Sequence, residues 1–245
     1  MYETLLFAIL VGFVAQLIDG ALGMAYGVTS NSVLLAMGIP PAHASASVHT
    51  AEIFTTLTSG ISHLKFKNVD KKLFRKLLIP GVIGGFLGAC SLVLAPTAII
   101  KPIVSLYLLV MGLLILRKVF DTTRHRKDTN EIILGGAGGF LDAIGGGGWG
   151  PVVTSTLVAR GNNPRITIGS VNLAEFFVTL SEALTFFAFL GLVHLEIIAG
   201  LIIGGVFAAP LAAYACKKLP LKILMAIVGI VIMVLSIRTL YLTLI

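Results

Sequence analysis

Apolar positions along the chain fall into eight blocks separated by polar, proline or glycine residues: 5–37, 42–64, 73–95, 99–116, 132–159, 166–190, 195–216 and 221–244. Runs of about 20 apolar residues read as membrane-crossing helices rather than strands. Six of the blocks fit one crossing each. The first and fifth do not. As one helix at 1.5 Å per residue, block 5–37 would be about 50 Å long against a hydrocarbon core of about 30 Å. Each long block carries a glycine-rich interruption beginning with an aspartate: Asp19-Gly-Ala-Leu-Gly-Met-Ala-Tyr-Gly27 and Asp142-Ala-Ile-Gly-Gly-Gly-Gly-Trp-Gly150. Glycine runs break helices. Both blocks therefore read as two half-length helices meeting at a break.

The breaks also reveal a duplication. A shift of 123 positions (142 − 19) superposes Asp19 on Asp142, Gly23 on Gly146 and Gly27 on Gly150 without a gap. The same register pairs Gly38 with Gly161, Pro41 with Pro164, Ser47 with Ser170, and Glu52 with Glu175. One register held over so many glycine, proline and acidic positions indicates homologous halves. The expected organisation is a first transmembrane repeat over 1–119, a cytoplasmic linker over 120–131 and a second repeat over 132–245. Each repeat has a broken, re-entrant first helix and three spanning helices.

Composition agrees. Hydrophobic residues make up 57% of the 245 positions and charged residues 12%, with a mean hydropathy of +1.01. Soluble domains lie nearer to about 45–50% apolar and about 25% charged. An ordinary soluble enzyme, a disordered chain and a nucleic-acid-binding module are excluded, leaving an all-α polytopic membrane protein. The first residues, Met-Tyr-Glu, lack the basic start of a cleavable signal, so the first apolar run is expected to be retained. Cys90 and Cys216 sit in apolar runs without metal-like spacing and read as structural thiols.

Charge placement decides the topology. If the long blocks simply cross, the 18 Lys and Arg residues divide two to one between the sides. If each long block enters and leaves on one side, all but Lys101 and Arg238 gather together. The positive-inside bias favours the second arrangement. Both termini are then outside and the halves are inverted repeats, an architecture shared by many secondary transporters.

Re-entrant backbone is stable at membrane depth only where protein or a wet cavity satisfies it. The two hairpin tips should meet near the midplane, with two helix N-termini aimed at the centre, which suits an anion. Candidate substrate-binding residues are Asp19, Gly20, Gly23, Asn31 and Ser32 in the first half, and Asp142, Gly145, Gly146, Gly147, Thr154 and Ser155 in the second. A valine at Gly146 or Gly147 is expected to abolish binding while leaving the fold intact. On the next block, Ser45, His49, Glu52, Thr56 and Ser59 share a helix face, and Asn172, Glu175, Thr179 and Glu182 do so in the second half. His49 and Asn172 join the substrate-binding candidates. Carboxylates within a span are functional by default, so Glu52 and Glu175 are assigned to proton coupling, with symmetric packing as the structural alternative. Tyr26 and Trp149 read as core; His43 and His63 read as interfacial. No metal-ligand spacing or nucleophile–base pairing is apparent, so no metal, cofactor or enzymatic activity is expected.

The chain resembles the TauE/SafE family, also called TSUP, of sulfite-exporter-like permeases. The resemblance rests on Gly12-x6-Asp19-x3-Gly23, Gly38-x2-Pro41, Ser47-Val-x2-Ala51-Glu52 and its copy Ser170-Val-x2-Ala174-Glu175. It implies a multi-pass protein of the bacterial inner (plasma) membrane that carries small anions, often sulfur-containing: sulfite, sulfonates or sulfoacetate. The expected partners are that anion, a proton or other coupling ion, and the bilayer, with no nucleic acid. An anion channel with the same dipole-lined centre is the alternative.

Overall fold

The computed structural model describes residues 2–22, 24–65, 67–120, 130–192, 194–215 and 221–245. Every regular element among them is helical: α1 (Tyr2–Leu22), α2 (Tyr26–Ala36), α3 (Pro41–Lys65), α4 (Lys71–Leu94), α5 (Thr97–Phe120), α6 (Glu131–Gly145), a π-helical turn (Gly150–Thr154), α7 (Ser155–Ala159), α8 (Pro164–Leu190), α9 (Leu195–Ala215) and α10 (Leu221–Leu244). Gly23, Cys216, Lys217, Lys218 and linker positions 121–129 lie outside the described residues.

Both long blocks are broken, as their glycines require. One detail differs from expectation. α1 has 21 residues, about 31 Å at 1.5 Å per residue, so the first limb has full crossing length and the break falls late. The second break follows α6, which has 15 residues. Both second limbs end alike. Gly38 (φ 90°) and Gly161 (φ 94°) take the left-handed conformation, and the amides of Ile39 and Asn162 reach back to the carbonyls of Leu34 and Leu157. This helix stop depends on a residue without a Cβ. The next helices then begin at Pro41 and Pro164, a position where the missing N–H costs nothing.

The halves interlock. α1 packs along α9 and α6 along α4, while α3 pairs with α8 and α5 with α10. Exchanging the halves maps this pairing onto itself. α3 and α8 run antiparallel: Ser59 meets Asn172, and His49 meets Glu182. The hairpins enter from opposite ends of α3. The first starts where Ala8 meets Gly200 near the start of α9, and it ends near His43, whose ring packs on His194 just before α9. The second starts at Glu131, 3.2 Å from Lys76, and returns to the recess that Asn162 and Asn163 share with Lys76. The antiparallel α3–α8 crossing and the opposed hairpins are consistent with inverted halves.

Polarity is arranged for a lipid solvent. Large apolar side chains such as Leu6, Leu10, Ile79, Ile83 and Phe86 face outward, whereas His49, Glu52, Asp142, Thr179 and Glu182 are buried. Tyr2–Asp19, Lys71–Leu94, Thr97–Phe120 and Ile166–Leu190 are each long and apolar enough to cross a membrane.

Candidate functional site

The two breaks meet at the centre of the bundle. Gly27 lies against Gly146 and Gly147, so tightly that a Cβ on Gly147 would collide with the backbone of Gly27 and Val28. Gly146 lies under the Asn31 amide, and Gly145 and Gly148 lie against Tyr107. These glycines let the hairpin tips touch one another. A valine at Gly147 would therefore force the tips apart, contrary to the expectation of an intact fold.

A broken helix leaves carbonyls and amides without partners. Side chains from the first half satisfy the carbonyls at the end of α6. Asn31 Nδ2 donates to the Gly145 carbonyl (2.5 Å) and Ser45 Oγ to that of Ala143 (2.6 Å). His49 Nε2 lies 3.2 Å from the Asp142 carbonyl, which also accepts the amides of Gly146 and Gly147; a carbonyl only accepts, so Nε2 carries a proton. The amides on the far side of the break go to the repeated aspartates. Asp142 Oδ1 accepts from Gly148 N (2.5 Å) and Trp149 N (2.9 Å), and Asp19 Oδ1 accepts from Tyr26 N (3.4 Å). Residues 149 and 26 each stand seven after their aspartate. The helix N-termini expected to hold an anion thus already face the chain's own carboxylates.

Other candidates fall as follows. Ser32 Oγ donates to Val28 O within α2 (2.6 Å). Ser155 Oγ takes the Lys118 ammonium, which also reaches the Pro151 carbonyl at 3.4 Å. Thr154 is buried with its hydroxyl unpartnered. Asn172 Nδ2 donates to Ser59 Oγ at 2.8 Å, away from the breaks. Gly20 belongs to α1. Tyr26 and Trp149 are core, as expected: the phenol donates to Leu201 O and the indole to Val171 O, both at 3.2 Å.

A cavity of about 10 Å³ remains between the tips, bordered by Asp19, Glu52, Asp142 and Glu175 together with Tyr26, Gly27 and Gly147. That is room for about one water. Glu52 and Glu175, the pair related by the repeat register, both border this space. Glu182 was visible only as one position of a polar stripe, and Lys118 only as part of a basic stretch. Sequence spacing gave no sign that His49, Asp142 and Glu182 converge, yet a side-chain nitrogen or oxygen of each lies within 4.8 Å of the others.

An apolar exterior, interlocked halves whose broken helices meet tip to tip, and an acidic centre at their meeting point are the features of a polytopic membrane protein with a central polar site. The family model for the TauE/SafE sulfite exporters matches residues 8–239. A probable membrane transporter protein of Bacillus subtilis (strain 168), YtnM, is 45% identical over 253 aligned positions, covering 98% of this chain and 83% of that protein. No solved structure matches. The chain belongs to the TauE/SafE family; it is a multi-pass membrane transporter.

Proposed function

We propose that the protein is a secondary carrier that moves a small sulfur-containing anion, such as sulfite, a sulfonate or sulfoacetate, together with protons. The sulfur chemistry comes from the family's description as sulfite exporters. The observation carrying the mechanism is the acidic lining of the central cavity: Asp19, Glu52, Asp142 and Glu175. An anion cannot settle among ionised carboxylates in a low-dielectric site. It enters once protons have neutralised some of them, so substrate and proton are bound together. Glu52 and Glu175, at equivalent positions, are the exchanging groups, and hydroxyls such as that of Thr154 supply neutral hydrogen bonds. Lys118 of α5, whose ammonium rests on the second limb at Pro151 and Ser155, draws the anion toward the tips.

Residues 1–119 and 132–245 act as inverted repeats on either side of the linker. The end of the bundle carrying Lys72, Lys76 and Arg117 faces the cytoplasm by the positive-inside bias, and both termini face outward. A cavity of about 10 Å³ is too small for a sulfonate, so binding requires the tips to separate, the gating that alternating access supplies.

Proteoliposome uptake of labelled sulfite, thiosulfate and sulfonates, with and without an imposed pH gradient, tests this reading. Saturable uptake with counterflow, driven by the gradient, is expected. Flux that neither saturates nor shows counterflow would make the protein a channel instead.

A further inference from the structure

Where α3 crosses α8, the repeat builds the same joint twice. The 123-residue shift places Asn172 at the position of His49 and Glu182 at that of Ser59. One joint is neutral: Asn172 Nδ2 donates to Ser59 Oγ at 2.8 Å. The other is ionisable. His49 Nδ1 stands 3.0 Å from Glu182 Oε2 and also 3.0 Å from Glu52 Oε2. His49 and Glu182 are completely buried and Glu52 is 5% exposed.

Proton counting constrains this second joint. Nε2 faces the Asp142 carbonyl and holds a proton. Nδ1 faces two carboxylates, and three acceptors cannot share such a space without a further proton. With that proton on Nδ1, an imidazolium sits between two carboxylates and the trio keeps one negative charge. A second proton, on either carboxylate, makes it neutral. Glu52 Oε2, Glu182 Oε2 and His49 Nδ1 are at ion-pair distance yet lack aligned hydrogen bonds, and Glu182 Oε1 is buried without a partner. Such sealed acceptors are costly, and an added proton relieves them.

We propose that His49, Glu52 and Glu182 form one proton-binding site that couples the proton to hairpin movement. Glu52 borders the central cavity and is where the proton enters; an O–H bond on Glu52 breaks as N–H or O–H forms deeper in the trio. Glu182 is sealed beneath Gly85 of α4, where a Cβ would press on its Oε1. His49 is held flat by Phe186, stacked at 6.1 Å with the planes 7° apart. Through Nε2 it grips the tip of the second hairpin. Gain or loss of one proton therefore changes how tightly α3, α8 and that tip hold together.

The surrounding groups complete the electrostatics. Asp142 approaches from the second hairpin, with Oδ2 unpartnered. Asp19 of α1 and Glu175 of α8 border the same cavity as Glu52. Tyr107 of α5 is within electrostatic reach of Asp142 and Glu182, with its hydroxyl on the Gly147 carbonyl; Tyr26 of α2 is within reach of Asp19 and Glu52, with its phenol on Leu201 O; and α4 contributes Gly85. The same geometry could attract a divalent cation, so the test separates the two.

This inference rests on the carrier reading, but one readout is independent of it. Trp149 is the only tryptophan in the chain, and its amide is bound to Asp142 at the hairpin tip. Its fluorescence in nanodiscs, titrated between mildly acid and mildly alkaline pH in chelator, is expected to show one proton-dependent transition. Glu182→Gln and, separately, His49→Gln should abolish it, while Glu196→Gln, an exposed position on α9, should leave it in place. In proteoliposomes, Glu182→Gln should flatten the pH profile of counterflow. A wild-type protein without the transition overturns the proposal, as does a transition that survives in Glu182→Gln. So does a transition that appears only when Zn²⁺ or Mn²⁺ is added. If no anion is transported but the transition behaves as described, the proton site stands and the carrier reading fails.

Discussion

Asp19 and Asp142 show how one residue can satisfy two readings. Their repetition at glycine breaks marked them as candidates for a substrate site, and they do border the central cavity. Each also serves the break itself by accepting amides from the start of the following limb. A side-chain cap of this kind contributes about 1 kcal/mol, and more where a charged acceptor takes two buried amides. Asp142→Ala is expected to destabilise the protein by roughly 2 kcal/mol and Asp19→Ala by roughly 1 kcal/mol. The order follows from two short bonds at Asp142 against one of 3.4 Å at Asp19. Thermal unfolding of the purified variants in detergent checks it; equal losses, or a larger loss at Asp19, would contradict the capping role. The identity of these residues was legible in the sequence because duplication singled them out. Their partners were not, since a hydrogen bond to an amide seven residues away depends on the shape of the broken backbone.

At the scale of elements, the hairpins were the best-read feature. Block length and glycine content located both breaks, and the Gly-x2-Pro motif located both exits. The structure explains the motif: a left-handed glycine ends one helix and a proline starts the next. Around Gly38 and Gly161 nothing lies within 4 Å of an added Cβ, so substitution there costs backbone strain alone. Alanine at either position is expected to lower stability by about 1–2 kcal/mol, the left-handed penalty for a residue with a Cβ. Asparagine should cost less, because it visits that conformation more readily. Chemical denaturation monitored by helical circular dichroism would read the difference. Element lengths were less legible. The first limb proved to be a full-length helix because apolar periodicity reports where a helix can run, whereas the break is set by packing against the opposite hairpin.

For the whole molecule, the main expectation concerns sidedness. Gly38 lies at the exit of the first hairpin, and Lys72 borders the recess at the other end of α3. In a background lacking Cys90 and Cys216, Gly38→Cys should react with an impermeant thiol reagent from outside and Lys72→Cys only from inside. Labelling of both from one side would end the inverted arrangement. By itself, the sequence determined the solvent, the duplication, the positions of the breaks and the membrane-transporter class, because hydropathy, repeat register and the family motifs are linear properties. Tertiary structure decided what the central polar residues do. Asn31, Ser45 and His49 were turned to the carbonyls of α6, and Glu182, 133 positions from His49, was brought to within 3.0 Å of it. The physical reason is that a buried polar group must find its partner in space, and the crossing of two antiparallel helices from different halves supplies that partner where no sequence spacing records it.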